Sequence, residues 1–311
     1  MPKILETVSK FKSGQMLKTD FIKYMFDLHH CHLFDYSSFL SKTNIKKIEI
    51  LDGAVIMTTR NKGLKFQCIP GDHRIAPIET LNFCDYEKNE SFITENLIGE
   101  CSTFFDIGAN IGYYSINLAL TQRSLMVYSF EPIPSTFINL NKNIELNRLT
   151  NVKSHNFGFS DKSGSFDFYT YPEGSGNASS ANLTAREDVT VVKCKLTTLD
   201  KYVLETNLRV DFIKCDVEGS ELLVFKGGLK TIRRDLPIIF CELLRKWSAK
   251  FSYSPNEVLT LLNEFGYQAY TLSGSSILPI EEINDSTTAT NFFFLHSKKH
   301  KTLINRFTLS K

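Results

Sequence analysis

The residues Thr103-Phe-Phe-Asp-Ile-Gly-Ala-Asn-Ile-Gly-Tyr-Tyr-Ser115 are the most informative part of the chain about its architecture. Its apolar and β-branched start predicts a buried strand, and its last residues predict the beginning of a helix. Between them lie Gly108 and Gly112, which favour a tight turn because glycine adopts backbone conformations that other residues avoid. A strand, a glycine turn and a helix in this order form the opening unit of a doubly wound α/β sheet.

The spacing of the glycines indicates which ligand the turn would hold. Dinucleotide sites use Gly-x-Gly-x-x-Gly, whose backbone amides face a pyrophosphate. In this chain the spacing is Gly-x-x-x-Gly, and Asp106 comes two residues before the first glycine. A carboxylate there repels a pyrophosphate but attracts a cation such as S-adenosylmethionine, which carries a sulfonium and an ammonium. The turn therefore favours this cofactor over NAD, with Asp106, Gly108, Asn110 and Gly112 as predicted binding residues.

A second strand is predicted over residues 125–130, and Glu131 follows it directly. An acid at this place can accept hydrogen bonds from both ribose hydroxyls of an adenosine. The plainer interpretation is that Asp106 and Glu131 only cap strand ends. The agreement between the glycine turn and the spacing of the two acids favours the cofactor interpretation.

Acids also follow the fourth and fifth predicted strands, residues 210–215 and 237–241. The fourth strand ends in Asp216-Val-Glu218, and the fifth ends in Glu242. Ligands of an open α/β sheet bind at the carboxyl ends of its strands, so these acids and the two earlier ones should meet at one edge. Such convergence is hard to explain by structural need alone, and Asp216, Glu242 and Glu218 are the predicted catalytic residues.

Three motifs in series resemble the FkbM family of S-adenosylmethionine-dependent methyltransferases. They are the glycine turn at residues 105–115, Phe130-Glu-Pro-Ile-Pro134, and Phe212-Ile-Lys-Cys-Asp-Val-Glu-Gly219. The resemblance covers roughly residues 66–296. It implies a Rossmann-like class I methyltransferase fold, α/β, with a seven-stranded mostly parallel sheet that ends in an antiparallel hairpin. It also implies O-methylation of a hydroxyl on a sugar, polyketide or lipid-linked molecule.

The resemblance implies roles for two more residues. An acid after the third strand often accepts from the adenine amino group in class I methyltransferases, and Asp161 is the candidate, although a simple turn aspartate would give the same pattern. The family also has a loop similar to Asp72-His73-Arg74 near its active-site side. His73 is therefore a candidate base, while a solvated loop histidine is the plainer interpretation.

Two chemical routes remain open for removing the proton of the acceptor hydroxyl. Asp216 can take it late in the methyl transfer, when the oxygen is already losing electron density. Alternatively, Asp216, Glu218 and Glu242 can hold a magnesium ion that lowers the pKa of the hydroxyl. The resembled family is not defined by a metal. Direct proton transfer to Asp216 is therefore the first choice and the magnesium route the second.

Two other functions compete with an active methyltransferase. A catalytically inactive, cofactor-binding partner subunit would use the same fold as an interaction surface, and intact acids at the fourth and fifth strand ends argue against it. An NAD oxidoreductase is disfavoured by the glycine turn. The Ser/Gly-rich residues 172–182 are compatible with a plain surface loop, but functional lids have the same composition. The resembled family has a similar stretch, which favours a loop that closes over bound ligands.

Three regions are predicted along the chain. Residues 1–95 form a helical and β-hairpin extension with an amphipathic helix over residues 16–29, ending near a solvated His29-His30-Cys31-His32 cluster. Residues 96–300 form the methyltransferase domain. Residues 301–311 form a basic, solvated tail.

Composition excludes several classes of protein. The 311 residues carry a net charge of +2 and no Lys/Arg block among aromatics, so no nucleic-acid partner is expected. Seven scattered cysteines without a Cys-x-x-Cys pair indicate a reduced, cytoplasmic protein. There is no apolar run of membrane-spanning length. The expected partner is a small-molecule or glycan acceptor, and the chain is compatible with a homo-oligomer.

Overall fold

The computed structural model describes residues 3–172 and 174–308, which form helices and strands in the following chain order. The first part comprises α1 (Lys3–Lys12), α2 (Lys18–Met25), a π-helical turn (Phe26–His30), α3 (Cys31–Phe39), a 3-10 turn (Leu40–Lys42), β1 (Ile45–Leu51), β2 (Ala54–Thr59), β3 (Lys65–Cys68), α4 (Ala76–Phe83) and α5 (Lys88–Leu97). The second part comprises β4 (Thr103–Ile107), α6 (Tyr113–Thr121), β5 (Met126–Phe130), α7 (Pro134–Leu146), β6 (Val152–His155), β7 (Gly158–Phe159), β8 (Gly164–Tyr171), β9 (Gly174–Ser179), β10 (Thr190–Thr197), α8 (Leu199–Thr206), β11 (Phe212–Cys215), α9 (Glu221–Lys226), α10 (Leu229–Asp235), β12 (Ile238–Glu242), α11 (Arg245–Ser248), a 3-10 turn (Ala249–Phe251), α12 (Pro255–Asn263), β13 (Tyr267–Ser273), β14 (Ser276–Ile280), β15 (Asn291–His296) and α13 (Lys301–Phe307).

The central sheet has the strand order β14-β13-β15-β12-β11-β4-β5-β6. The five strands from β12 to β6 are parallel, whereas β15, β13 and β14 each pair antiparallel with a neighbour. The predicted α/β fold with a terminal antiparallel hairpin is confirmed. The sheet has one strand more than the predicted seven, because the chain reverses at Gly274 and β14 adds to the edge of β13.

The parallel strands end at a single edge of the sheet because their chain directions agree. Strand β11 is completely buried, and β4 is buried except for its partly exposed first residue. Such burial explains why these strands appear in the sequence as nearly continuous apolar runs. Their carboxyl ends carry the acids that the sequence places there.

A second sheet with the order β7-β10-β8-β9 lies beside this edge. Its strand β9 falls within residues 172–182, so most of the predicted loop is a strand that pairs antiparallel with β8. Ser179, the last residue of β9, is buried, and its Oγ donates to the backbone oxygen of Glu218 at 2.9 Å. Glu173, at the start of the predicted loop, lies outside the described residues.

The small sheet β1-β2-β3 is joined to the main domain through asparagine side chains. Asn143 of α7 is fully buried and accepts from the backbone N–H of Gln67 at 2.8 Å. Asn147 accepts from the N–H of Lys65 at 2.9 Å and donates to its carbonyl at 2.7 Å. These bonds satisfy backbone groups at the free edge of β3, which would otherwise need water or another strand.

One prediction about the first helices was wrong. The predicted helix over residues 16–29 does not end there, because the π-helical turn continues it into α3 as far as Phe39. In the predicted basic tail, residues 301–307 form α13, in which Lys301 and Arg306 are exposed and Phe307 is buried against the core. The predicted boundary at residues 95–96 falls within α5, just before β4. Within the described ranges, every helix is too short or too polar to span a bilayer.

Candidate active site

A cavity of about 450 Å³ opens at the carboxyl ends of β4, β5, β11 and β12. This volume is within the range of small-molecule sites. Its described lining contains seven Asp or Glu residues, Glu79, Asp85, Glu87, Glu131, Asp216, Glu218 and Glu242, and three Lys or Arg residues, Arg74, Lys214 and Lys246. The excess of acids suits a cationic ligand.

The glycines of the turn after β4 allow close packing of the protein itself. Gly108 has φ +76°, and a Cβ there would overlap the backbone oxygen of Asp216 and lie 2.9 Å from its carbonyl carbon. Gly112 has φ +93°, and a Cβ there would lie 2.5 Å from Cδ1 of Leu140. Gly108 lines the cavity, but Gly112 lies behind the lining. The structural reason for both glycines is therefore close approach to neighbouring protein atoms, which the spacing alone did not reveal.

The Glu131 carboxylate is held by two backbone amides. Oε2 accepts from the N–H of Asn110 at 3.0 Å, and Oε1 accepts from the N–H of Ile133 at 2.9 Å. Burial raises the pKa of Glu131 to about 7, although both amide bonds oppose the shift. Glu131 lines the cavity beside Asn110, so the geometry brings these two predicted cofactor residues together.

Asp106 lies beneath the cavity rather than in its lining. It is 1% exposed, and its Oδ2 accepts from the backbone N–H and the Oγ of Ser115 at 3.0 and 2.6 Å. Its Oδ1 has no hydrogen-bond partner but lies 3.8 Å from Nζ of Lys214. Burial raises the pKa of Asp106, while Lys214 and Ser115 lower it. Asp106 thus anchors the helix after the turn and pairs with a buried lysine.

Lys214 is the cation that links the acids of this edge. Its Nζ lies 3.1 Å from Oδ2 of Asp216 and 3.4 Å from the backbone oxygen of Gly108, and its side chain is 8% exposed. Burial lowers the pKa of Lys214, but Asp216, Asp106 and Glu87 outweigh that effect and raise the pKa above its ordinary value. Lys214 therefore stays charged and holds Asp216 next to the glycine turn.

Carboxyl oxygens of Asp216, Glu218 and Glu242 lie within 4.8 Å of one another. Burial, and next repulsion from Asp216, raise the pKa of Glu218 and of Glu242 well above the usual range. Oε2 of Glu218 is buried without a hydrogen-bond partner, and the residue has φ +53°. The three predicted catalytic acids therefore form one cluster, which can exchange protons or supply three oxygen ligands to a divalent cation.

Glu221 shapes the turn that carries this cluster. It is 1% exposed, and its Oε1 accepts from the backbone N–H groups of Val217 and Gly219 at 3.1 and 3.0 Å. The hydroxyl of Tyr253 donates to its Oε2 at 3.1 Å. Burial raises the pKa of Glu221 to about 7. Glu221 is a positioning residue, and the sequence pattern did not single it out.

Glu87 is a further acid that the sequence reasoning missed. The hydroxyl of Tyr114 donates to its Oε2 at 2.5 Å, and burial raises the pKa of Glu87 to about 7. Glu87 and Tyr114 come from different elements, and only folding brings them together at the cavity. Lys214 was also missed, although a lysine inside an apolar strand two residues before Asp216 was a usable signal, because residues i and i+2 of a strand share a face.

Besides Asp106 and Gly112, two more predicted residues lie outside the cavity lining. His73 is exposed, and its neighbour Arg74 faces the cavity instead. Asp161 is exposed and accepts from Oγ of Ser160, which lines the cavity in its place. In each of these two loops, the residue next to the predicted one, Arg74 or Ser160, lines the cavity.

Comparison with known proteins identifies related sequences. The family profile described as the Methyltransferase FkbM domain matches residues 106–269, more than half of the chain. Methyltransferase 1 of Beauveria bassiana is 27% identical over 144 residues, and Methyltransferase sdnD of Sordaria araneosa is 28% identical over 151 residues. These matches cover 40% and 39% of this chain and 58% of each relative. The chain thus spans less than two thirds of the length of these relatives.

A solved structure of methyltransferase FkbM from Methylobacillus flagellatus KT is also similar. It shares 17% sequence identity with this chain, at a TM-score of 0.39. The similarity covers 62% of this chain and 43% of that one.

Proposed function

The chain belongs to the FkbM methyltransferase family, and from this premise we propose that it transfers a methyl group from S-adenosylmethionine to an acceptor hydroxyl. The acceptor would be a small molecule or glycan, with the hydroxyl on a sugar, polyketide or lipid-linked group. The observation that carries the proposal is an acid-rich cavity in which Glu131 and the cluster Asp216, Glu218 and Glu242 meet. A dinucleotide pyrophosphate would meet the same acids at an electrostatic cost.

In this proposal one side of the cavity binds the cofactor, and the acidic cluster on the other side binds and deprotonates the acceptor. Glu131, beside the amide of Asn110, keeps free lone pairs on both carboxylate oxygens and accepts from the ribose hydroxyls. S-adenosylmethionine supplies a methyl group on a positively charged sulfur. The lining holds more acids than cations, and its attraction for that charge should grow as Glu87 and Glu131, whose pKa values are about 7, ionise with rising pH.

The acidic cluster would position and deprotonate the acceptor. As the hydroxyl oxygen bonds to the methyl carbon, the carbon–sulfur bond breaks and the proton passes to the Asp216 carboxylate. Lys214 holds that carboxylate in place at 3.1 Å. Positioning contributes much of the rate in such an in-line transfer, because two reactants must be aligned. A divalent cation on the three carboxylates is the second route to an acidified hydroxyl.

Glu131→Ala is expected to weaken binding of S-adenosylmethionine at least tenfold, because hydrogen bonds to a charged group contribute about 1.5–3 kcal/mol. Since the pKa of Glu131 is raised to about 7, affinity should also rise with pH through that value as the carboxylate ionises. Calorimetric titration at several pH values measures both effects. The exposed Glu145→Ala is the matched control, and unchanged affinity in a folded Glu131→Ala protein would refute the assignment.

Transfer itself is tested with methyl-labelled S-adenosylmethionine and a panel of sugars, phenols and hydroxylated lipids. Base-stable label is expected in a hydroxyl-bearing acceptor, because an ether resists the alkali that cleaves a methyl ester. Asp216→Asn should reduce transfer at least a hundredfold, since general acid–base catalysis contributes about 10²–10⁴. Binding of NAD without binding of S-adenosylmethionine would overturn the proposal.

The same assay separates the two proton routes. Loss of transfer in EDTA that magnesium restores would establish the cation route, whereas transfer unaffected by EDTA but lost in Asp216→Asn would establish direct proton transfer. Full transfer in both Asp216→Asn and Glu242→Gln would exclude the cluster from the chemistry. Cofactor binding without transfer to any acceptor would instead favour an inactive partner subunit.

A further inference from the structure

The first helices of the chain expose an unusual amount of apolar surface. Residues 3–39, which we call the arm, comprise α1, α2, the π-helical turn and α3. Eleven of the nineteen large hydrophobic side chains that are exposed in the described residues lie in the arm, namely Ile4, Leu5, Leu17, Ile22, Tyr24, Phe26, Leu28, Leu33, Phe34, Tyr36 and Phe39. Scattered single apolar residues need no explanation, but a concentration of this kind marks an interaction surface.

The arm buries little of itself. Phe11 stacks on Phe21 with ring centroids 4.3 Å apart, which joins α1 to α2. Within the arm only Thr7 and Met25 are buried. Helices of this length are marginal in water unless an apolar face is covered by other parts of a protein. The arm therefore needs a partner surface.

We propose that the arm pairs with the arm of a second copy of this chain. The exposed fractions of the eleven side chains run from 40% to 71%. Helix residues three or four apart share a face and residues two apart do not, so one partner covers about half of the eleven side chains. At about 100 Å² each, roughly half of a large side chain, these would bury about 600 Å² per copy. That area is at the lower end of the range for specific interfaces, about 1,200 Å² in total.

The charges of the arm favour a second copy over a membrane surface. The arm carries five lysines, Lys3, Lys10, Lys12, Lys18 and Lys23, and four acids, Glu6, Asp20, Asp27 and Asp35. Helices that lie on anionic bilayers are rich in Lys and Arg on the polar face. The nearly balanced charges of the arm are unlike that pattern.

The order of these charges also suggests the direction of pairing. In α2, Lys18 and Lys23 flank Asp20 before the π-helical turn. Asp27 and Asp35 lie within and after that turn. An antiparallel pairing centred near Phe26 would place Lys18 of one copy across from Asp35 of the other. The same contact would recur on the opposite side of a twofold axis, as a symmetric dimer requires.

The test is the mass of the full-length protein in solution, measured by sedimentation across a wide range of concentrations. The wild-type chain is expected to be a dimer at micromolar concentration. Phe34→Asp, at a side chain that is 66% exposed, should weaken association at least tenfold. Leu204→Asp is the matched control on α8, where the side chain is 81% exposed, and it should leave the dimer intact.

A charge exchange makes the test specific to the antiparallel arrangement. Lys18→Asp alone should weaken the dimer, and Lys18→Asp combined with Asp35→Lys should restore it. A wild-type chain that stays monomeric, or a dimer unaffected by Phe34→Asp, would overturn the proposal. Co-sedimentation of a monomeric chain with vesicles of phosphatidylserine would overturn it in favour of a lipid surface. None of these results depends on methyl transfer.

Discussion

Lys214→Met is expected to lower the free energy of unfolding by about 3–5 kcal/mol, because it leaves buried carboxylates without their cation. Asp106 is 1% exposed, and its Oδ1 has no hydrogen-bond partner but lies 3.8 Å from the charged Nζ of Lys214. Asp216 loses the partner that lies at 3.1 Å. Methionine preserves most of the apolar stem of lysine, so the change isolates the charge.

The decrease in the free energy of unfolding caused by Lys214→Met should depend on pH in a definite direction. Burial already raises the pKa of Asp106, and removal of Lys214 takes away the main opposing influence. A carboxyl whose pKa is higher in the folded state than in the unfolded state lowers stability as pH rises through that interval. The deficit of Lys214→Met should therefore be larger at about pH 8 than at about pH 5.

Denaturant unfolding at both pH values measures these effects, with the exposed Lys195→Met on β10 as the matched control. The control is expected to change stability by less than about 0.5 kcal/mol, as surface substitutions usually do. A deficit of Lys214→Met below about 1 kcal/mol at the higher pH would show that Asp106 tolerates the loss of its cation.

Gly108→Ala is expected to lower the free energy of unfolding by about 2–5 kcal/mol, since it adds two penalties. The first is the left-handed conformation at φ +76°, which costs a non-glycine residue about 1–2 kcal/mol. The second is overlap of the new methyl group with the carbonyl of Asp216, a backbone group that cannot move without separating β4 from β11. Overpacking of this kind typically costs a further 1–3 kcal/mol or so.

Gly53→Ala is a close control for the first penalty. Gly53 has φ +74° and nothing within 4 Å of an added Cβ, so only the conformational cost applies. Unfolding measurements on both variants give the cost of the close approach as their difference. Equal losses would mean that the turn relaxes away from Asp216. If the variant stays folded, binding of S-adenosylmethionine is also expected to fall, because Gly108 and Asp216 line the same cavity.

Sequence patterns alone were enough to predict the sheet and the edge at which the site forms. Buried parallel strands appear as apolar runs, and the side chain after each run must lie at the carboxyl edge. This local rule predicted that Asp216, Glu218 and Glu242 meet at one edge, and their carboxyl oxygens lie within 4.8 Å of one another. The same rule predicted Glu131 at this edge, where its carboxylate accepts from the N–H of Asn110 in the glycine turn.

The direction in which each side chain faces, and the groups that it contacts, depend on packing between distant parts of the chain. Asp106 and Glu131 look alike in sequence, but Asp106 lies beneath the cavity with Ser115 and Lys214, and Glu131 lines it. The hydrogen bond between Tyr114 and Glu87 joins two parts of the chain that are distant in sequence, so no local sequence pattern could predict it. Pairing of β9 with β8 likewise depends on a partner strand. Each of these features is set by contacts between residues from separate elements, and the periodicity of one segment carries no information about them.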